Sequence, residues 1–84
     1  MGKHVGVVAI LMKGDRKRNA PKVNDILTKY GNIVVGRMGI PYVKRDIHVI
    51  TLIVDGTNGN ISEMTKKLSK IKGVAAESTL TSCN

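Results

Sequence analysis

The chain has 84 residues, with 14 Lys plus Arg against six Asp plus Glu, so it carries a formal net charge of +8. That length admits one domain, residues 1–84, near the lower limit of what hydrophobic burial alone can hold together, and subunit contacts would add to its stability. No run approaches the ~18 apolar residues of a membrane span, no cationic start, apolar run and small-residue cleavage site follow one another at the N-terminus, and the single Cys83 cannot close an internal disulfide. A cytoplasmic protein without membrane contact is expected.

Val5 to Met12 reads as a strand that is apolar on both faces, with Val5, Val7, Ala9 and Leu11 against Val8, Ile10 and Met12. Lys13-Gly14-Asp15 breaks it, and a helix follows whose apolar stripe is Val23, Ile26, Leu27 and Tyr30. Its start is open between two readings: Asn19 caps a helix from Ala20, which puts Pro21 in the first turn, or an earlier turn begins at a capping Asp15 and Pro21 interrupts it. Gly31 stops the helix. Ile33 to Met38 forms the next strand, placed at an edge because Gly36 and Arg37 suit a buried central position poorly. Gly39 to Arg45 is read as the connection of a hairpin, in which Pro41 blocks ladder pairing.

Asp46 to Thr57 is almost wholly aliphatic and β-branched between its aspartates. Ile47, Val49, Thr51 and Ile53 line one of its faces and His48, Ile50, Leu52 and Val54 the other, so both need covering, one by helices and one by a partner. A turn from Gly56 to Asn60 follows, with Asn60 and Glu63 as an imperfect capping box for a second helix. Ile61, Met64, Leu68 and Ile71 are its buried stripe and Lys66, Lys67 and Lys70 its wet face, with Gly73 as a left-handed cap. Val74 to Leu80 is a half-wet edge strand with Val74, Ala76 and Leu80 inward, and residues 81–84 fray.

Strand, helix, strand twice over gives an α+β, ferredoxin-like βαββαβ sandwich with antiparallel sheet order 4-1-3-2 and both helices on one face. The order places the two strands that are apolar on both faces in the centre. This fold hosts several chemistries, and each needs its own residues. RNA recognition on the sheet needs aromatics in the central strands, but the chain lacks Phe and Trp, and Tyr30 and Tyr42 lie elsewhere. A metal-chaperone version needs a Cys-x-x-Cys pair where Lys13 to Arg16 stands. An acylphosphatase-like phosphate cradle would use Arg16 or Arg18 but lacks its glycines. His4, His48 and Cys83 form no ligand cluster, so no metal and no cofactor is expected. No nucleophile and base pair, nor paired carboxylates, can be defended from spacing, so no enzyme is expected.

Tyr30-Gly31, Gly36-Arg37-Met38-Gly39-Ile40-Pro41-Tyr42 and Leu52-Ile53-Val54-Asp55-Gly56-Thr57 together resemble the iron-only hydrogenase system regulator family. Those small proteins are similar to the ACT-like C-terminal domains of the nickel-responsive repressor and of the acetolactate synthase small subunit. The family pattern carries glycines where this chain has Lys66 and Ser69. The resemblance implies an ACT-like regulatory or sensing module that assembles through its sheets as a homo-oligomer, a dimer or higher. It implies neither the repressor's metal ligands nor its DNA-binding domain.

The interface is expected at His48, Ile50, Leu52 and Val54. A small carboxylate or amino-acid ligand is expected at the subunit boundary, a region ACT-like domains commonly use, on Lys13, Gly14, Asp15, Arg16 and Arg37. There a glycine backbone, free helix N–H groups and a bidentate arginine would meet an anion. The alternative is a weak, sequence-indifferent nucleic-acid binder using the basic run from Lys13 to Lys22, since no base-reading motif accompanies it.

Overall fold

In the computed structural model, which describes residues 3–14 and 16–82, alternation along the first strand decides which way the sheet faces. This strand, β1 (Lys3–Lys13), turns Val8, Ile10 and Met12 into the core and leaves Val5, Val7 and Leu11 partly exposed on the opposite side. Helix α1 (Arg16–Lys29) follows, then β2 (Val34–Tyr42), a 3-10 turn at Val43–Arg45, β3 (Ile47–Thr57), α2 (Asn58–Ser69) and β4 (Val74–Ser82). The sheet runs β2-β3-β1-β4 with every pairing antiparallel. This is the expected 4-1-3-2 order, with the two longest and most apolar strands in the middle.

Both helices lie on one face. Val23 and Leu27 of α1 and Ile61, Met64 and Leu68 of α2 meet Ile50, Leu52 and Val54 of β3 in a single core, with Ile26, Tyr30 and Ile71 packed against it. The two predicted helical stripes are therefore the buried ones. Across the helix pair the Tyr30 hydroxyl donates to Glu63 Oε1, and the Lys67 ammonium sits 5.4 Å from the Tyr30 ring centroid. A hydrogen bond to that tyrosine raises the Lys67 pKa above its ordinary value.

Four local expectations change. First, α1 begins at Arg16 and carries Pro21 inside it, so Asn19 is not its cap. Asn19 is 5% exposed and donates from Nδ2 to the Lys72 carbonyl at 2.9 Å, fastening α1 to the turn before β4. The proposed Asp15 cap lies outside the described residues. Second, α2 begins two residues before Asn60. Its cap is Thr57, whose hydroxyl accepts from the Asn60 N–H at 3.1 Å.

Third, β2 continues through Pro41, which pairs opposite His48. An edge strand tolerates proline because the missing N–H can fall on the side with no partner strand. The hairpin therefore turns later, at Asp46, whose left-handed backbone (φ 52°) lets its N–H donate to the Val43 carbonyl. Fourth, β4 reaches Ser82, so residues 81 and 82 are not frayed: Thr81 pairs with Val5 and its hydroxyl donates to the Val5 carbonyl at 2.9 Å. Cys83 and Asn84 lie outside the described residues.

Gly73 does adopt the left-handed conformation, with φ +84°, but three residues beyond the α2 C-cap at Lys70. There it reverses the chain into β4, and its carbonyl accepts the Lys13 N–H at 2.8 Å.

Candidate functional site

The end of β1, the first turns of α1 and the turn into β4 converge because antiparallel pairing puts Met12 opposite Val74. Two bonds fix their relation: Lys13 N–H to the Gly73 carbonyl, and Asn19 Nδ2 to the Lys72 carbonyl. Between them lies a cavity of about 370 Å3 lined by Lys13, Gly14, Arg18, Asn19, Lys22, Lys72 and Gly73. Lys13, Lys22 and Lys72 border it together with Arg18, and no acidic residue is among its described lining, so the concavity is edged by basic side chains. Gly14, also at φ +84°, meets nothing among the described residues within 4 Å of where a Cβ would stand.

Of the residues expected to bind a ligand, Lys13 and Gly14 line this cavity. Asp15 lies outside the described residues, as does the side chain of Arg16. Arg37 is elsewhere. It pairs opposite Leu52, which pairs opposite Val8, so it lies two strands away from β1 and five residues short of Lys13 along it. At ~3.3 Å per strand residue and ~4.8 Å between strands, that is roughly 20 Å. Its Nη2 donates instead to Asn24 Oδ1 of α1 at 3.3 Å. One protomer does not bring Arg37 and the β1–α1 turn together.

The residues that sequence reasoning left out of the site are Arg18, Lys22 and Lys72. Arg18 and Lys22 are four apart on α1 and so share a helix face. Lys72 could be found only through topology, since nothing but the 4-1 strand adjacency brings residue 72 to residue 13.

The second feature is the sheet face away from the helices. Val5, Val7, Ala9 and Leu11 of β1 lie beside Val49, Thr51 and Ile53 of β3 and Met38, Ile40 and Tyr42 of β2. Val7 is 42% exposed, Ile53 49% and Met38 61%, a contiguous apolar surface with Lys3, Lys13, Asp55 and Glu77 toward its margins. The expected interface row is corrected here. Ile50, Leu52 and Val54 are core residues, Leu52 being fully buried, because alternation turns them under the helices. His48 points to the same side, half-buried, with its Nε2 3.1 Å from where a Cβ on Gly39 would be. The row left open is the other one, Ile47, Val49, Thr51 and Ile53.

His4 pairs opposite Gly56 and His48 opposite Met12, which separates the two histidines by about 26 Å along the sheet. Among the described residues no three His, Cys, Asp or Glu side chains gather as metal ligands. Ser69 donates its hydroxyl to the Ala76 carbonyl at 3.1 Å and so ties α2 to β4. Among the described residues no helix is long and apolar enough to cross a membrane.

The TM1266-like family model, described as an iron-only hydrogenase system regulator, matches residues 4–78. The chain belongs to that family. Among solved structures, the uncharacterized protein TM1266 from Thermotoga maritima superposes with a TM-score of 0.86 at 24% identity, covering 93% of this chain and 96% of that one. The apo form of CPII from Thiomonas intermedia K12, a nitrogen regulatory PII-like protein, superposes with a TM-score of 0.51 at 13% identity over 96% and 95% of the two chains. These two likenesses establish the shared ferredoxin-like architecture. None of the curated proteins matches the chain.

Proposed function

We propose that the chain is a self-associating regulatory module without catalytic activity, in which two copies cover each other's open sheet face and a small anion docks at the basic cavity. The observation that carries this reading is the apolar face. Four strands ~4.8 Å apart and about nine residues long give a face of roughly 600 Å2 in projection. Side-chain relief adds to that area, and a standard protein interface takes ~800 Å2 from each partner. Exposed apolar patches of this size on soluble proteins are usually contact surfaces.

The charge pattern favours a second copy as the occupant. A chain of net charge +8 keeps the middle of this one face free of ionised groups, so the surface that matches it best is another like itself. Membership in a regulator family is in keeping with a module that acts through assembly. The small-anion half of the reading follows the three lysines, Lys13, Lys22 and Lys72, that line the cavity.

Sedimentation of the wild type against Ile53→Lys and Val7→Lys tests it, since these two residues face each other across β1 and β3 on the open side. The wild type should sediment as a dimer or higher at micromolar concentration, and both variants should remain folded and dissociate. A monomeric wild type, or variants that keep the assembly, would refute the reading.

A further inference from the structure

The open sheet face is uneven from edge to edge. On β2 its row is bulky, with Met38 61% exposed, Ile40 55% and Tyr42 48%. On β4, at the opposite edge, the row is Ala75, Glu77, Thr79 and Thr81. Where Ala75 lies beside Leu11 the face sinks into a hollow of about 320 Å3, whose described lining is Leu11, Lys13, Ile47, Gly73, Val74 and Ala75. Taking the self-association reading as given, we propose that two copies stack these faces about a two-fold axis parallel to the strands, so that β2 of each lies over β4 of the other and Tyr42 of each enters the other's hollow.

The strand registers bring the contacts to the same height. Tyr42 pairs opposite Ile47 and Ile47 opposite Lys13, whose N–H is bonded to the Gly73 carbonyl, so the tyrosine stands level with the Gly73 end of the hollow. Ile40 is level in the same way with Val49, Leu11 and Ala75. Rotation about an axis along the strands keeps those levels and exchanges only the edges. Ile40 of one copy then falls over Ala75 of the second, and Tyr42 over the second copy's Gly73. Within one protomer the two edge strands are about 14 Å apart at ~4.8 Å per strand, so no copy fills its own hollow.

The occupant fits chemically as well. Leu11, Ile47 and Ala75 give the hollow an apolar floor, and tyrosine brings an apolar ring with a polar tip that can stay at the wet margin. Tyr42 is the one aromatic ring on this face, since the chain has no Phe or Trp and Tyr30 packs against the core under the helices. The other two-fold arrangement, with its axis across the strands, lays β2 on β2 and β4 on β4. Bulk then meets bulk along one edge and hollow meets hollow along the other, which sheets ~10 Å apart with interdigitating side chains do not accommodate. With that axis at the rung of Met38, Ala9 and Glu77, it also sets Glu77 against its own copy, a like-charge pair.

Sedimentation of the full chain, with circular dichroism to establish folding, tests the seat of Tyr42. Tyr42→Ala should weaken the dimer about tenfold or more, as loss of an aromatic anchor from a pocket does, and Tyr42→Phe should keep it. Ala75→Leu adds exposed apolar area, which on a merely sticky face would tighten association. By filling the hollow it should weaken the dimer instead, and adding it to Tyr42→Ala should cause little further loss. Disulfide trapping reads the axis. In a Cys83→Ser background, oxidised Ile40→Cys/Ala75→Cys should give a covalent dimer on a non-reducing gel, because the two positions are too far apart within one chain to bridge, and neither single variant should. A covalent dimer of Met38→Cys alone would place β2 on β2 and overturn the axis. A dimer unchanged in Tyr42→Ala, or tightened in Ala75→Leu, would overturn Tyr42 as the occupant, and if that dimer still dissociates in Ile53→Lys the assembly reading stands without it. A monomeric wild type would overturn both.

Discussion

Gly14 and Gly73 share a backbone angle, φ +84°, and differ in what surrounds them, so alanine at each position separates conformational strain from steric strain. At Gly14 a Cβ meets nothing among the described residues within 4 Å, and Gly14→Ala carries the left-handed cost of an L-residue, about 1–2 kcal/mol. Reduced freedom of the unfolded chain returns ~0.4–1 kcal/mol, leaving a net loss of about 1 kcal/mol. At Gly73 the same Cβ would stand 2.8 Å from the Lys13 carbonyl oxygen and 3.0 Å from Asn19 Nδ2.

The first of those is backbone, locked by the adjacent Lys13 to Gly73 bond, and the second is the donor that holds Lys72. Neither can yield without loosening the β1–β4 junction, so an overpacking cost of ~1–3 kcal/mol is added. A domain of this length holds roughly 4–13 kcal/mol of stability, and each kcal/mol shifts Tm by about 4–8 °C. Gly14→Ala should therefore lower Tm by about 4–8 °C, and Gly73→Ala by ~10 °C or more, in thermal denaturation at matched protein concentration. Gly14→Asn should recover part of its loss, since asparagine tolerates the left-handed region. Equal losses for the two alanine variants would refute the steric argument at Gly73, and no loss at Gly14 would refute its left-handed backbone.

Asn19→Ala removes the donor from the part-buried Lys72 carbonyl and should cost about 1 kcal/mol by urea denaturation, with Asn19→Asp failing to restore it because a carboxylate cannot donate. Leu52→Lys places an ammonium in the centre of the core and should abolish cooperative unfolding by near-UV circular dichroism, while its chain neighbour Ile53→Lys stays folded. A folded Leu52→Lys would contradict the assignment of faces. Duplex DNA should bind weakly, without sequence preference, and be released by about 200 mM salt in an electrophoretic shift assay. A selective complex surviving that salt would show base readout that the described surface does not account for.

The fold was legible because two periods, 2 in the strands and 3.6 in the helices, each place apolar residues without conflict, and the central strands are apolar on both faces. What strand periodicity cannot say is which of its two faces meets the helices. Both rows of β3 are aliphatic, so assigning Ile50, Leu52 and Val54 to the interface was a choice between near-equals that only helix packing decides. Pro41 misled for a related reason: its effect on a ladder depends on whether its N–H side has a neighbour, which strand order determines and local sequence does not. Within the candidate site, Lys13 and Gly14 were readable from the strand break. Lys72 and the Asn19 latch were not, because the contact between residues 19 and 72 spans the whole crossover.

Face and cavity are linked through charge. Each copy carries +8, so bringing two copies together is opposed by long-range repulsion that the uncharged middle of the sheet avoids locally but cannot remove. An anion that fills the basic cavity lowers that charge on each copy and should tighten self-association without touching the interface. The size of this coupling is set by screening. With a Debye length of ~30 Å at 0.01 M salt, charges at the cavity act across a structure with extents of 40 × 21 × 16 Å. At 0.15 M the length falls to ~8 Å, and the coupling should fade. Sedimentation of the wild type with and without citrate should therefore show tighter association at low salt and little difference at physiological salt, and Lys22→Ala/Lys72→Ala should lose the low-salt effect. Coupling that persists undiminished at 0.15 M salt would mean that the anion touches the partner directly, and would move the cavity into the interface.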